Sequence, residues 1–227
     1  MKSLIKINKS TIQEDLKELV NRFNESLVVR VDPGGLTLKS KIPFKVLSLK
    51  ELLFHRITML SQVALDLYLQ NKRVPSFILM RSVIETCALC FALRKKTTNF
   101  LNDTINIDVF NSFIDKGLSG GRDEKANHQA VNALTCIDHI DREYDGFRKM
   151  YDVLCEYAHP NYLGTLDSFG KVDEKNIWLD LGYELKMPPA EFGLAPFFMS
   201  LLIFEEQYNL IAGMVEDLNE LFEKKVT

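Results

Sequence analysis

The sequence predicts an all-α fold, a helical bundle of five to six helices with small extended or β-hairpin insertions. Three observations carry that prediction. Apolar residues recur at three- and four-residue steps through several long stretches, and in the last of them the pattern runs for four heptads. Alternating, β-prone residues are confined to two short segments, near 27–47 and 160–188. No internal repeat, low-complexity run or clean linker divides the 227 residues. One domain is therefore expected over 1–227, with an N-terminal helix and extended connector over 1–47 and the bundle core over 48–224.

Residues 11–26 place Ile12, Leu16, Leu19, Val20 and Phe23 on one face, and Thr11 stands three places before Glu14, as in a capping box. A short amphipathic helix follows from this. The run Leu27, Val28, Val29 and Val31, the turn Pro33-Gly34-Gly35 and the stretch Leu36 to Phe44 fit a small hairpin or an extended connector. From Ser48, suited as an N-cap with Glu51 three places on, Leu49, Leu52, Leu53, Ile57, Leu60, Ala64, Leu67 and Tyr68 mark a long helix to about Asn71. A second long helix follows Val74. Pro75 suits its first turn, Phe77, Met80, Ile84, Ala88 and Phe91 form its stripe, and Arg94-Lys95-Lys96 suits its C-terminal end. With only Lys72-Arg73 between them, the two helices should form an antiparallel hairpin.

Residues 98–117 predict a weaker helix or a pair of turns, and the glycines at 117, 120 and 121 open a mobile loop expected over 117–125. Helical spacing resumes over 127–158, bent near Asp145-Gly146 and stopped by Pro160. Thr165 to Phe169 and Asn176 to Asp180, on either side of a turn over Gly170 to Lys175, predict a β-hairpin or an ordered excursion. The last helix, from about Ala190 to Lys224, carries Phe197, Leu201, Phe204, Tyr208, Ile211, Val215, Leu218 and Phe222 on one seam.

A hydrophobic share of 46% with 26% charged residues excludes a disordered, collagen-like or disulfide-stapled chain. Twenty-eight basic residues against 31 acidic ones give a net charge of −3, without the strong basic bias that nucleic acid or an anionic membrane would call for. The opening MKSLIKINKS lacks the apolar core of a secretory signal. Leu194 to Phe204, eleven apolar-rich residues containing Pro196 and Ser200, falls short of a bilayer span. A soluble, cytoplasmic protein with no membrane partner is expected, and its four cysteines (Cys87, Cys90, Cys136, Cys155) are expected as reduced thiols.

Two constellations offer chemistry. Arg81 and Glu85 lie four residues apart on one helix face among Phe77, Ile78, Ile84, Ala88 and Leu89. An opposite-charge pair in an apolar stripe either fixes helix register in the core or clamps a ligand, with Arg81 as the anion fork. The second is Cys155-Glu156-Tyr157-Ala158-His159-Pro160-Asn161-Tyr162, a helix end closed by histidine and proline. Helix-terminal carbonyls favour a cation, so His159 either caps the helix or serves as the best general acid/base in the chain. If the helices pack so that Arg81, Glu85 and His159 converge, Glu156, Tyr157 and Tyr162 complete a polar pocket, with Arg81 and His159 as its catalytic candidates.

Metal is a weaker reading. Glu156-x-x-His159 has the spacing used by carboxylate-bridged di-iron bundles, but no second Glu-x-x-His exists, and Glu51 with His55 would make only a degenerate partner. Cys87-x-x-Cys90 sits in mid-helix without a knuckle turn, as buried hydrophobes do. No cofactor is called for. Ser119-Gly120-Gly121-Arg122 lacks Walker spacing, and His128, Cys136, Asp138 and His139 are expected as surface or core residues.

The strings Arg81-Ser82-Val83-Ile84-Glu85-Thr86 and Glu156-Tyr157-Ala158-His159-Pro160 resemble a group of bacterial all-helical proteins of unknown function. That group is similar in architecture to the HEPN superfamily of helical nucleotide-binding and ribonuclease domains. The resemblance spans roughly 48–224 and implies a bundle that usually forms a homodimer and sometimes acts as an RNase toxin or a defence protein. The HEPN ribonuclease pattern sets an arginine four to six residues before a histidine. Here Arg148 precedes His159 by eleven, about 16 Å along a helix. RNA is therefore not the favoured partner unless Arg81 substitutes from a neighbouring helix. Two functions are expected in order. The first is a noncatalytic HEPN-like binding protein in stress or phage defence, with a pocket for a small anion or nucleotide. The second is an enzyme, either a metal-independent ribonuclease using His159 with an arginine or a di-iron-type oxidase.

Overall fold

A computed structural model of the chain describes residues 11–123, 126–182 and 193–224. The N-terminal decapeptide, the end of the expected 117–125 loop and the expected first residues of the last helix lie outside the described residues. The fold is all-α with two very small sheets. It has more helices than the five or six anticipated, because glycine and asparagine divide stretches that periodicity alone joins.

Helix α1 (Ile12–Glu25) buries the anticipated face, Ile12, Leu16, Leu19, Val20 and Phe23, though the Thr11 hydroxyl donates to Asp15 at 2.8 Å rather than pairing with Glu14. The following segment is a connector, not a hairpin, with one 3₁₀ turn at Pro33–Gly35 fastened by the Gly34 N–H to Asp32 Oδ1 at 2.8 Å. Helix α2 (Ile42–Leu69) begins six residues ahead of Ser48, because Pro43 suits a first turn and Ser40 Oγ accepts the Ile42 N–H at 3.2 Å. Helix α3 (Arg73–Leu101) runs past its basic triplet. Thr97 and Phe100 are buried, so packing carries the helix beyond the residues that look like its end.

Asn106 caps α4 (Ile107–Ser119) through the Val109 N–H at 2.9 Å, and Asn132 caps α5 (Ala133–Asp141) through the Leu134 N–H at 2.9 Å. Between them, β1 (Gly120–Gly121) pairs in parallel with β2 (His128–Gln129). The single helix expected over 127–158 is two, because Gly146 adopts a left-handed φ of +86° before α6 (Phe147–Ala158). After one helical turn, α7 (Leu166–Phe169), β3 (Gly170–Asp173) pairs antiparallel with β4 (Trp178–Leu181). The hairpin is real, but its turn lies after Asp173 rather than at Gly170. Helix α8 (Leu194–Lys224) buries the anticipated seam apart from its part-exposed Tyr208.

Helix α3 is the axis of the molecule, packed by α2, α8, α5, α6 and α4. It is long and apolar enough to cross a membrane, yet 67% of that window is buried by its neighbours, which makes it a core helix in the described fold. Its inner residues Met80, Val83, Ile84, Cys87, Cys90, Phe91 and Leu93 are fully enclosed. Near its middle the core turns polar. Lys50 and Glu51, 4% and 6% exposed, pair with each other, and Tyr208 donates to Glu51 at 3.0 Å. The Lys50 ammonium also sits 3.6 Å from the Tyr208 ring centroid, and Arg94 Nε donates to the buried Gln207 at 2.7 Å.

Candidate functional site

Arg81 and Glu85 are adjacent turns of α3, and α6 brings Tyr151 between them. Arg81 Nε donates to the Tyr151 hydroxyl at 3.1 Å, the hydroxyl donates to Glu85 Oε1 at 2.8 Å, and Arg81 Nη2 stands 3.3 Å from the same carboxylate oxygen. The Tyr151 ring is buried, whereas the two charged side chains remain 31% and 28% exposed. The cluster is therefore anchored on its protein side and open on the other. Burial pushes the Tyr151 phenol well up, and Glu85 reinforces this against the opposing pull of Arg81, so the hydroxyl keeps its proton and remains a donor. Burial works against the Arg81 charge, but Tyr151, Cys155 and Glu85 outweigh it and hold its pKa above the ordinary value. Arg81 is a fixed cation.

The cluster forms one wall of a cleft of about 740 Å³, within the usual range for a small-molecule site. The opposite wall lies between α4 and α5, contributing Arg122 and Asp123 just after β1, His128 and Gln129 from β2, and Asn132 from the α5 cap. A backbone bond from the Ala130 N–H to the Gly121 carbonyl at 3.1 Å continues that pairing and ties the wall together. Arg81 Nη1 has no protein partner among the described residues. The cleft thus offers a guanidinium edge, a carboxylate, a second arginine and the first turn of α5, whose Ala133 amide stands at the positive helix end.

The other residues singled out by the sequence stand elsewhere. His159 is the exposed C-cap of α6, in extended conformation, and its backbone N–H closes the helix on the Cys155 carbonyl at 3.0 Å. Asn161 Nδ2 donates to Glu156 at 2.6 Å, and the exposed Tyr162 reaches Asp167 at 3.4 Å. Tyr157 is buried, its ring 5.1 Å from Phe77 in an edge-on contact. Gly164 folds back so tightly that a Cβ there would lie 2.0 Å from the His159 carbonyl oxygen. These contacts build a helix stop, and none of His159, Glu156, Tyr157 and Tyr162 lines the Arg81 cleft.

Arg148 is engaged at the opposite end of α6, held by Asp138 at 2.6 Å and Asp152 at 2.9 Å. Among the described residues, no three or more His, Cys, Asp or Glu side chains gather as a metal site. Glu51 is engaged by Lys50 and Tyr208, and His55 by the Val28 carbonyl at 2.7 Å, so the donor atoms of both already have protein partners. The Cys87 and Cys90 thiols are buried, which raises both pKa values, that of Cys90 to about 12, as expected for unreactive core thiols.

Tyr151, Arg122 and His128 escaped the sequence reading as site residues. Tyr151 left a signal, since a tyrosine on a buried stripe must bring its hydroxyl to a partner and Arg81 with Glu85 were charges in need of one. Arg122 and His128 left none, because their place depends on a strand pairing two residues long. Compared with known proteins, the chain matches no family model, no curated protein and no solved structure.

Proposed function

We propose that the protein is a noncatalytic binding protein whose cleft between α3, α6 and the 120–134 segment holds a small anion or nucleotide. The observation that supports this is the Arg81–Tyr151–Glu85 cluster, fixed on its inner side and open toward the cleft. A guanidinium held by a phenol is pre-oriented, so it binds an anionic group without first losing side-chain freedom. Glu85 adds an acceptor for amino or hydroxyl groups of the same ligand. Binding is favoured over RNA cleavage because His159 and Arg81 do not share the cleft and Arg148 is occupied by two carboxylates. HEPN-like kinship, a bacterial defence role and a homodimer go with this proposal and rest on the resemblance of the strings at 81–86 and 156–160, and cytoplasmic residence goes with it on the four free cysteines.

Thermal unfolding with a panel of nucleoside mono-, di- and triphosphates tests the reading. A ligand at a hundred times its Kd adds ~2.7 kcal/mol, which raises Tm by about 5–11 °C for a chain of this size. The shift should shrink in Arg81→Ala while the unliganded variant keeps its helical circular dichroism. Shifts of undiminished size in Arg81→Ala, or RNA cleavage that depends on His159, would overturn it. Light scattering at the 26.1 kDa of one chain would defeat the dimer.

A further inference from the structure

We infer that a second pocket, between α3, α4 and α5 and lined by Lys95, Lys96, His139 and Arg142, is a binding site for a phosphate-bearing small molecule. The pocket encloses about 410 Å³, and no carboxylate is among its lining residues. This separates it from the Arg81 cleft, where Glu85 and Asp123 balance the arginines. In a chain with a net charge of −3, four cationic or protonatable side chains around one depression are a local reversal of sign.

The cations come from independent elements. His139 lies in the last turn of α5 and Arg142 follows as its C-cap, where basic residues are favoured by the helix dipole alone. Lys95 and Lys96 have no such reason, since α3 continues to Leu101 and the two lysines sit in its body. Lys95 is partly satisfied by Glu143 at 2.9 Å, whereas among the described residues no ion pair or hydrogen bond engages the side chain of Lys96 or Arg142. The imidazole of His139 registers the resulting field. Burial lowers its pKa, and Arg142, Lys95 and Lys96 lower it further, against Asp138. An anion seated among these groups would relieve that mutual repulsion.

The remaining lining fixes the chemical class. Asn99 and Thr135 offer neutral hydrogen-bonding groups, while Phe113, Ala92 and the buried Cys136 make an apolar floor. Ammonium and guanidinium donors converging from two sides suit the several oxygens of a phosphate or pyrophosphate. The volume exceeds that of a bare phosphate and leaves room for an organic part on the Phe113 floor. The pocket shares only Val131 and Asn132 with the Arg81 cleft, so the first turn of α5 stands between two separable sites.

Inorganic pyrophosphate is the probe, titrated by calorimetry into the wild-type chain, into Arg81→Ala and into the double variant Lys96→Ala/Arg142→Ala. The expected result is a binding event that is retained in Arg81→Ala and at least tenfold weaker in the double variant. The His139 imidazole proton resonances of the wild type should shift over the same pyrophosphate range, a readout that needs no variant to fold. Absence of binding at millimolar pyrophosphate, full binding by a folded double variant, loss of binding in Arg81→Ala, or His139 resonances that stay still at saturation would each overturn the inference.

Discussion

Replacing Tyr151 by phenylalanine removes one oxygen atom and tests whether the cluster on α3 is a mechanical unit. In the wild type that oxygen accepts from Arg81 Nε at 3.1 Å and donates to Glu85 at 2.8 Å. Each is a hydrogen bond to a charged group, and losing such a bond costs about 1.5–3 kcal/mol. The two costs do not add in full, because Arg81 Nη2 already stands 3.3 Å from Glu85 and both side chains are part-exposed, so water and direct pairing recover some of the loss. A net destabilisation of about 1–3 kcal/mol follows, equivalent to a fall in Tm of roughly 2–12 °C. Urea denaturation of the wild type, Tyr151→Phe, Glu85→Gln and the double variant supplies the measurement. The cycle should return a coupling of about 0.5–3 kcal/mol between positions 85 and 151. A Tyr151→Phe midpoint indistinguishable from wild type, with zero coupling, would refute the idea that the hydroxyl holds the pair.

Three further outcomes are expected. Glu51→Leu strands the Lys50 ammonium in the core and should cost about 3–5 kcal/mol, whereas Lys50→Met/Glu51→Leu should recover most of that in the same urea assay. Gly164→Ala places a Cβ 2.0 Å from the His159 carbonyl and should lower Tm by several degrees, with amide shifts confined to the α6 exit in a two-dimensional NMR spectrum. The lowered pKa of His139, caused by burial and then by Arg142, Lys95 and Lys96, means that the unfolded chain takes up this proton more readily than the folded one. Its contribution to stability is therefore full above the ordinary value of 6.5 and lost as pH falls below it, and His139→Gln should flatten that part of the Tm-versus-pH curve.

The helices were legible wherever one face alone had to be buried. The stripe Ile12, Leu16, Leu19, Val20 and Phe23 and most of the α8 seam are enclosed as the spacing required. Boundaries were less legible, because Arg94-Lys95-Lys96 looks like a helix end while the burial of Thr97 and Phe100 decides otherwise. The pairing of Arg81 with Glu85 was readable from a four-residue interval, and its third member was not, since Tyr151 arrives from 66 residues away on another helix. The expected convergence with His159 depended on helix register, which periodicity does not encode. Lys50 and Glu51 illustrate the opposite error. Nothing in the spacing marks these two charges as interior, yet Tyr208 and each other suffice to keep both inside.

The two-residue pairing of Gly120–Gly121 with His128–Gln129 has a consequence for time rather than shape. So short a ladder contributes few backbone bonds, and the residues around it are largely exposed, whereas the inner face of α3 is fully enclosed. The strand part of the far wall is thus held to the bundle by few bonds, as a shutter is to a frame. Amide protons of residues 121 and 128–130 should exchange with solvent through such local openings, at free energies far below that of global unfolding. A ligand that touches both walls would close the shutter, and the gain in protection at those few amides would measure its affinity without any label on the ligand.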